Sequence, residues 1–224
     1  MESASHAAKP PHGLFLWIPR TAGTSIWQRL VCPRSGHHAQ RIAHLDRQFF
    51  PAKTITTFQH VYVPTLVEDG TITQDWLDEQ FTFAFVRNPW DRLVSVYHHL
   101  AQGRPDQRMA ALHLSFKHFI ELVCAGDLPP VGRYSMEGLS YANRQTDWLY
   151  DRDGNRLFDF VGRMENLATD WQVVADTLGI HGGLDKTNQS RHKAYKDYYT
   201  ATLRQLVAVR YQREIDEYGY TYHE

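Results

Sequence analysis

The chain is short of the residues that build metal centres, disulfide scaffolds and membrane spans. Among 224 residues there are two cysteines, Cys32 and Cys124. They are too few and too far apart for a disulfide framework, and a reducing compartment suits them. No C-x-x-C or H-x-x-x-H occurs. Of the 13 histidines, the close pairs are the adjacent His37–His38 and His98–His99, which a helix would point in different directions. No metal is therefore expected, and most histidines are expected to be solvated. No apolar run is long enough to cross a bilayer, and the N-terminal MESASHAAKPPHG lacks an apolar leader core. The expectation is a soluble, cytoplasmic protein without a membrane partner. The formal net charge of −1 excludes a general polyanion binder, so no nucleic-acid partner is expected and any affinity for anions must be local.

What is there is a globular composition, 42% hydrophobic and 22% charged, enough for one α/β domain. Residues 1–12 read as a mobile tail and residues 13–224 as a single domain. Apolar or β-branched runs predict strands at 14–18, 54–58 and 81–86. Helical spacing and end signals predict helices at 24–32, 74–80, 89–100, 115–124 and 166–178. A last long helix, 197–218, would bury Leu203, Leu206, Val207, Tyr211, Ile215 and Tyr218. Asp151–Asn155 reads as a turn or hairpin tip between 147–150 and 157–161. Segment 34–50 is mixed and is given no assignment, and 126–140, rich in Gly and Pro, reads as a long loop. Strands each followed by a helix predict a three-layer α/β fold, a central parallel sheet flanked by helices.

The most informative stretch is LFLWIPRTAGTSIWQRL, Leu14 to Leu30. A buried strand stops at Pro19, passes through Arg20, Thr21, Ala22 and Gly23, and enters a helix at Thr24 or Ser25. Such a turn suits an anion. The first N–H groups of a helix lack intrahelical partners and carry the positive end of its dipole. Gly23 allows close backbone approach, Thr24 and Ser25 offer hydroxyls, and Arg20 adds a permanent charge. The alternative is an ordinary βα turn with a Thr or Ser cap. A nucleotide-triphosphate loop is not present, since G-x-x-x-x-G-K-[ST] is absent and Arg20 precedes the glycine.

A second stretch, FTFAFVRNPWDRLVSVYHHL, repeats the logic. Arg87 stands at the carboxyl end of a strand, where open α/β sheets place ligands. Ser95 follows on the next helix, and the two can converge on one phosphate. Arg87 pairing with Asp91 to lock the turn is the structural alternative. A ligand with two separated anionic groups accounts for both stretches.

With these motifs in view, the sequence resembles the sulfotransferases that use 3′-phosphoadenosine 5′-phosphosulfate (PAPS), in particular the branch holding carbohydrate-type and bacterial enzymes. IPRTAGTSI resembles their 5′-phosphosulfate loop, and FVRNPWDRLVSVY their 3′-phosphate motif with its R-x7-S spacing. FVGRMENL at 160–167 resembles their strand-to-helix segment. Asn188–Arg191, Tyr195 and the helix ending at Tyr220 resemble their C-terminal signature. These run in order from residue 14 to 220.

The resemblance implies a P-loop-like fold and transfer of a sulfuryl group from PAPS to a hydroxyl of a carbohydrate or small metabolite. Thr21, Ala22, Gly23, Thr24 and Ser25 would hold the 5′-phosphosulfate, Arg87 and Ser95 the 3′-phosphate. Ser190 and Arg191 would close over the nucleotide, with Lys193 a neighbour by sequence. Arg20 stands where the family usually carries Lys, so it would stabilise charge without releasing a proton. His60, in TFQHVYV, occupies a position like the family's Gly-His and would act as general base. The alternative for His60 is a satisfied strand-end histidine. Glu165, His12 and His99 are lesser candidates. Trp90, Tyr97, Tyr141 and Trp148 are candidates to line the acceptor cleft, and loops 34–50 and 126–146 to set acceptor choice. Competing readings are a non-catalytic nucleotide- or sulfated-glycan-binding module, to which Arg20 gives a foothold, and a P-loop kinase, which the missing GK[ST] disfavours.

Overall fold

The computed structural model describes residues 12–31, 39–43, 55–102, 114–128, 139–184 and 193–223. The expectations for residues 1–11 of the tail, for much of segments 34–50 and 126–140, and for Ser190 and Arg191 lie outside these residues; His12, the expected last residue of the tail, stands instead in the first strand.

The alternating apolar sequence at the start of the domain fixes its centre. Strand β1, His12–Trp17, sends Leu14 and Leu16 to one face and Phe15 and Trp17 to the other, as the two-residue period of a strand requires. Both faces are covered, so β1 is buried throughout from Gly13. Four further strands are described: β2 (Ala39–Ala43), β3 (Ile55–Gln59), β4 (Gln80–Val86) and β5 (Phe160–Arg163). Their spatial order is β2-β3-β1-β4-β5, with every pairing parallel. The chain thus leaves β1 toward one side and crosses it to reach β4 on the other. This reversal leaves a crevice at the carboxyl ends of β3, β1 and β4.

Helices α1 (Gly23–Leu30) and α7 (Leu167–Leu178) cover one face, packing Ile26, Leu30, Trp171, Val174 and Leu178 against Phe15, Phe83 and Phe85. On the other face lie α2 (Val63–Glu68), α3 (Gln74–Asp78), α4 (Pro89–Gln102), α5 (Phe116–Ala125) and α8 (Ala201–Arg210). Leu66, Leu77, Leu93, Val96, Phe119, Ile120, Leu203 and Val207 form that core with Leu14, Leu16 and Val86. This is the expected α/β architecture in three layers. Ser115 and Gly179 act as read: Ser115 Oγ accepts from the His118 N–H at 3.2 Å, and α7 stops at left-handed Gly179, as α5 does at Gly126.

Three boundaries differ from expectation. The helix predicted over 74–80 ends at Asp78, because Gln80 already pairs with His12 in the β4–β1 ladder. Only one antiparallel bridge, Tyr150 to Arg156, flanks the 151–155 turn, after the short helix α6 (Thr146–Leu149). The predicted helix 197–218 is a 3₁₀ turn (Tyr195–Tyr198), α8, and α9 (Gln212–Tyr218), broken at Tyr211. The break has a cause. Tyr211 is fully buried and its hydroxyl donates to the Ala142 carbonyl at 2.5 Å, while Glu214 turns to Gln145. Pinning both residues to one short segment bends the axis, and Leu206 is left exposed.

Candidate functional site

The turn between β1 and α1 departs from ordinary backbone geometry. Arg20 and Ala22 both adopt left-handed conformations, with φ of 68° and 64°, a state that costs a non-glycine residue roughly 1–2 kcal/mol. Helix α1 opens at Gly23 and not at Thr24 or Ser25. Its N-cap is Ala22, with no side-chain cap bond. An ordinary Ser- or Thr-capped turn is therefore not what forms here. Gly23 is required by packing, since a Cβ there would lie 1.8 Å from Trp17 Nε1. The Thr21 hydroxyl donates inward to the Ile18 carbonyl at 3.0 Å. Thr24 is exposed and Ser25 buried, and both line the adjoining cavity.

The second turn follows β4. Arg87 is buried; its Nε donates to Asp91 Oδ2 at 2.8 Å and its Nη2 pairs with the same oxygen at 2.7 Å. The turn-locking pair is thus real, yet Arg87 and Asp91 both line the cavity. Nη1 of Arg87 faces the Arg20 carbonyl at 3.5 Å, which brings the two turns together. Ser95 does not join Arg87 as expected. It is buried, outside the cavity lining, and accepts a hydrogen bond from Arg20 Nε at 3.0 Å.

His60 is buried just past β3, at the strand end where the sequence places it. Its φ is 58°, and its N–H donates to the Trp17 carbonyl at 3.0 Å, extending the β3–β1 pairing by one residue. Trp17 and Tyr141 hold its ring edge-on, at centroid distances of 5.8 and 5.6 Å. Tyr141 is in turn hydrogen-bonded through its hydroxyl to His99 Nε2 at 2.9 Å. Burial, helped by the nearby Arg20 charge, lowers the His99 pKa and favours its neutral ring. Arg20, Ala22 and His60 are the non-glycine residues of positive φ among the described residues, and all three line one cavity. Such strain persists only where the surrounding structure holds it in place.

That cavity measures about 950 Å³ and lies along the carboxyl edge of the sheet. Arg20, Gly23, Thr24 and Ser25 come from the first turn, Gln59 and His60 from the end of β3, and Arg87 and Asp91 from the second turn. Residues 164–169 follow β5, and Lys193 to Tyr195 approach from the C-terminal segment. Glu165 accepts from the Asn88 N–H at 2.6 Å, and burial raises its pKa. Glu165 is a lesser candidate from sequence, whereas Trp17 and the rest of 164–169 have no site role there; strand-to-helix turns at the same sheet edge are the available signal. Of the aromatic candidates, Tyr141 lines the cavity. Trp90 and Trp148 are in the core, and Tyr97 packs on Phe116 and Phe119. His12 opens β1, at the sheet's other edge.

Arg92, fully buried, ties the cavity walls together. Its Nε donates to the Pro19 carbonyl at 3.2 Å, Nη1 to Asn143 at 2.9 Å and Nη2 to Tyr141 at 2.7 Å. The first turn and the residue beside His60 are thereby held by one guanidinium. Among the described residues, no cluster of three or more His, Cys, Asp or Glu side chains could hold a metal, and no helix is long and apolar enough to cross a membrane.

The fold and site define an α/β protein with a cavity at the carboxyl edge of a parallel sheet, lined by Arg20 and Arg87. The chain belongs to the sulfotransferase family, whose model matches residues 9–221. Its fold is similar to that of the mouse sulfotransferase SULT7A1 complexed with PAP, with a TM-score of 0.57 and 11% identity over 93% of this chain and 86% of that one. No curated protein sequence matches it significantly.

Proposed function

We propose that the protein is a sulfotransferase that moves a sulfuryl group from PAPS to a hydroxyl of a carbohydrate or small-molecule acceptor. The observation that carries this reading is one cavity receiving Arg20, Arg87 and the uncapped start of α1. A ligand with two separated anionic ends matches that arrangement, and PAPS carries a 3′-phosphate and a 5′-phosphosulfate. The similar mouse enzyme is complexed with PAP, the desulfated form of this donor.

When bound, the donor supplies the sulfuryl group and a phosphate leaving group. The chain's residues then divide the work. Backbone N–H groups of Ala22, Gly23 and Thr24, with the hydroxyls of Thr24 and Ser25, receive the 5′ end. Arg20 offsets charge that grows as the sulfur–oxygen bond breaks; fixed donors in a sheltered site act most strongly there. Its guanidinium keeps its proton throughout. Arg87 receives the 3′-phosphate through the edge turned away from Asp91. His60 takes the acceptor's hydroxyl proton on a ring nitrogen, its ring held by Trp17 and Tyr141. Lys193 and Tyr195 line the remaining wall.

A binding module with weak turnover is the second reading. It is favoured by one observation: Arg20 replaces the family's usual Lys and is engaged by Ser95. Transfer of labelled sulfate from PAPS to a panel of hydroxylated acceptors tests the enzyme against the binder. At a hundredfold excess over Kd, 3′,5′-ADP should stabilise the fold by about 2.7 kcal/mol, and ATP with Mg²⁺ by less. Absence of both effects overturns both readings.

A further inference from the structure

Among the described residues, Glu214 is the fully buried carboxylate, and it lies outside the cavity lining. It sits on α9, near the end of the chain. Oε2 accepts from the Gln145 N–H at 2.5 Å, and Oε1 from Gln145 Nε2 at 2.9 Å. Gln145, itself fully buried, spends the rest of its side chain on one residue: Oε1 accepts from the Arg87 N–H at 2.7 Å, and Nε2 donates to the Arg87 carbonyl at 2.8 Å.

Arg87 lies one residue past the last β4–β5 pair, Val86 with Arg163. Gln145 meets its peptide groups as a neighbouring strand would. The next N–H, of Asn88, is taken by Glu165 from the other side. Two consecutive residues at the end of β4 are therefore held by side chains from distant parts of the chain.

We infer that Gln145 and Glu214 are positioning residues for the 3′-phosphate, fixing the Arg87 backbone so that its guanidinium enters the cavity in one orientation. This rests on the sulfotransferase reading above.

The chemistry of the pair explains why a carboxylate is used. A primary amide is nearly symmetric in shape, and turned over it would set its NH₂ against the Arg87 N–H and its oxygen against the Arg87 carbonyl. An ionised carboxylate only accepts. By taking both Gln145 N–H groups it admits the one orientation in which Oε1 is left for Arg87. Burial raises this carboxyl to about 7 against the opposing charge of the fully buried Arg92, so the ionised form prevails above neutral pH, where the binding test is run. Gln at position 214 supplies one acceptor and opposes a donor to a donor, so the register of Gln145 is lost while volume is kept.

The test is calorimetric titration of wild type, Glu214→Gln, Gln145→Met and the double variant with 3′,5′-ADP and with 5′-AMP, which lacks the 3′-phosphate. Each single variant is expected to weaken 3′,5′-ADP binding about tenfold or more and to leave 5′-AMP within about twofold, the loss of one charge-assisted hydrogen bond. The double variant is expected to bind no more weakly than Gln145→Met, since Glu214 acts through Gln145. Equal weakening of both ligands means general loosening and overturns the inference, as do unchanged binding and additive losses. Gln145→Met, close in volume, carries the test where Glu214→Gln does not fold, and thermal melting checks this. A wild type that binds 3′,5′-ADP no better than 5′-AMP overturns the sulfotransferase reading itself.

Discussion

Arg92→Met removes a cation that no solvent reaches and three hydrogen bonds that no other residue can supply. The guanidinium donates to Pro19, Asn143 and Tyr141, segments far apart in sequence. Burial lowers its pKa, with Glu214, Tyr211 and Asp147 opposing that effect. Each bond to a charged donor contributes about 1.5–3 kcal/mol, and each buried carbonyl left without a donor costs about 1–3 kcal/mol. Against this, the variant is relieved of burying the charge, several kcal/mol in its favour, and breaking such sites usually leaves a net loss of about 3–5 kcal/mol. That is a large part of the roughly 5–15 kcal/mol by which domains are stable. Urea unfolding at neutral pH measures it. Arg92→Lys should fall between, because a single ammonium cannot reach three carbonyls arranged for a planar fork. A loss below about 1 kcal/mol for Arg92→Met refutes the reasoning, since the cost of burying the charge would then cancel its bonds.

Gly23→Ala sets a Cβ 1.8 Å from Trp17 Nε1, so the start of α1 must shift; calorimetry should show 3′,5′-ADP affinity falling by about tenfold or more, with about 1–3 kcal/mol of stability lost to overpacking. Arg20→Ala should lower kcat far more than donor affinity in steady-state kinetics, because its charge matters most in the transition state; equal losses in both would remove that role. His60→Ala should lower turnover about 10²–10⁴-fold, the range for a general base, and near-normal turnover would leave His60 a packed strand-end histidine. Burial raises the Glu214 carboxyl from 4.5 to about 7. The native state then binds more protons than the unfolded chain between those values, so the contribution of Glu214 to stability is full below pH 4.5 and falls as pH rises to about 7. In urea unfolding, the stability of wild type relative to Glu214→Gln should therefore fall across that range.

The parts of the fold that could be read from sequence are those whose information is local. Leu14–Trp17 alternates between two buried faces, and Ser115 and Gly179 act as caps within a few residues of where they stand. Where long-range contacts set the outcome, local reading fails. Gln80 has helical neighbours but joins β1 in the sheet, and the 197–218 pattern looks continuous until Tyr211 and Glu214 are seen bonded to 142–145. A single-helix pattern cannot register a bend imposed from outside it.

The same distinction separates the site residues. Arg20, Gly23, Ser25, Arg87 and His60 stand at strand ends, where their chemistry is visible without knowing their neighbours, and each lines the cavity. Spacing groups Ser95 with Arg87, but a helix carries it beneath the first turn, where Arg20 engages it. Arg92, Gln145 and Glu214 had no signal, because a buried charged residue in sequence looks the same as a solvated one. Their effect lies in backbone groups they hold: Pro19 before Arg20, Tyr141 beside His60, and Arg87 itself. The strained φ values at Arg20, Ala22 and His60 need such support, since left-handed turns of ordinary residues relax unless their surroundings forbid it. A shell of buried polar residues is thus the physical counterpart of the strain at the cavity, and loss of any one of them should be felt at the turn it holds.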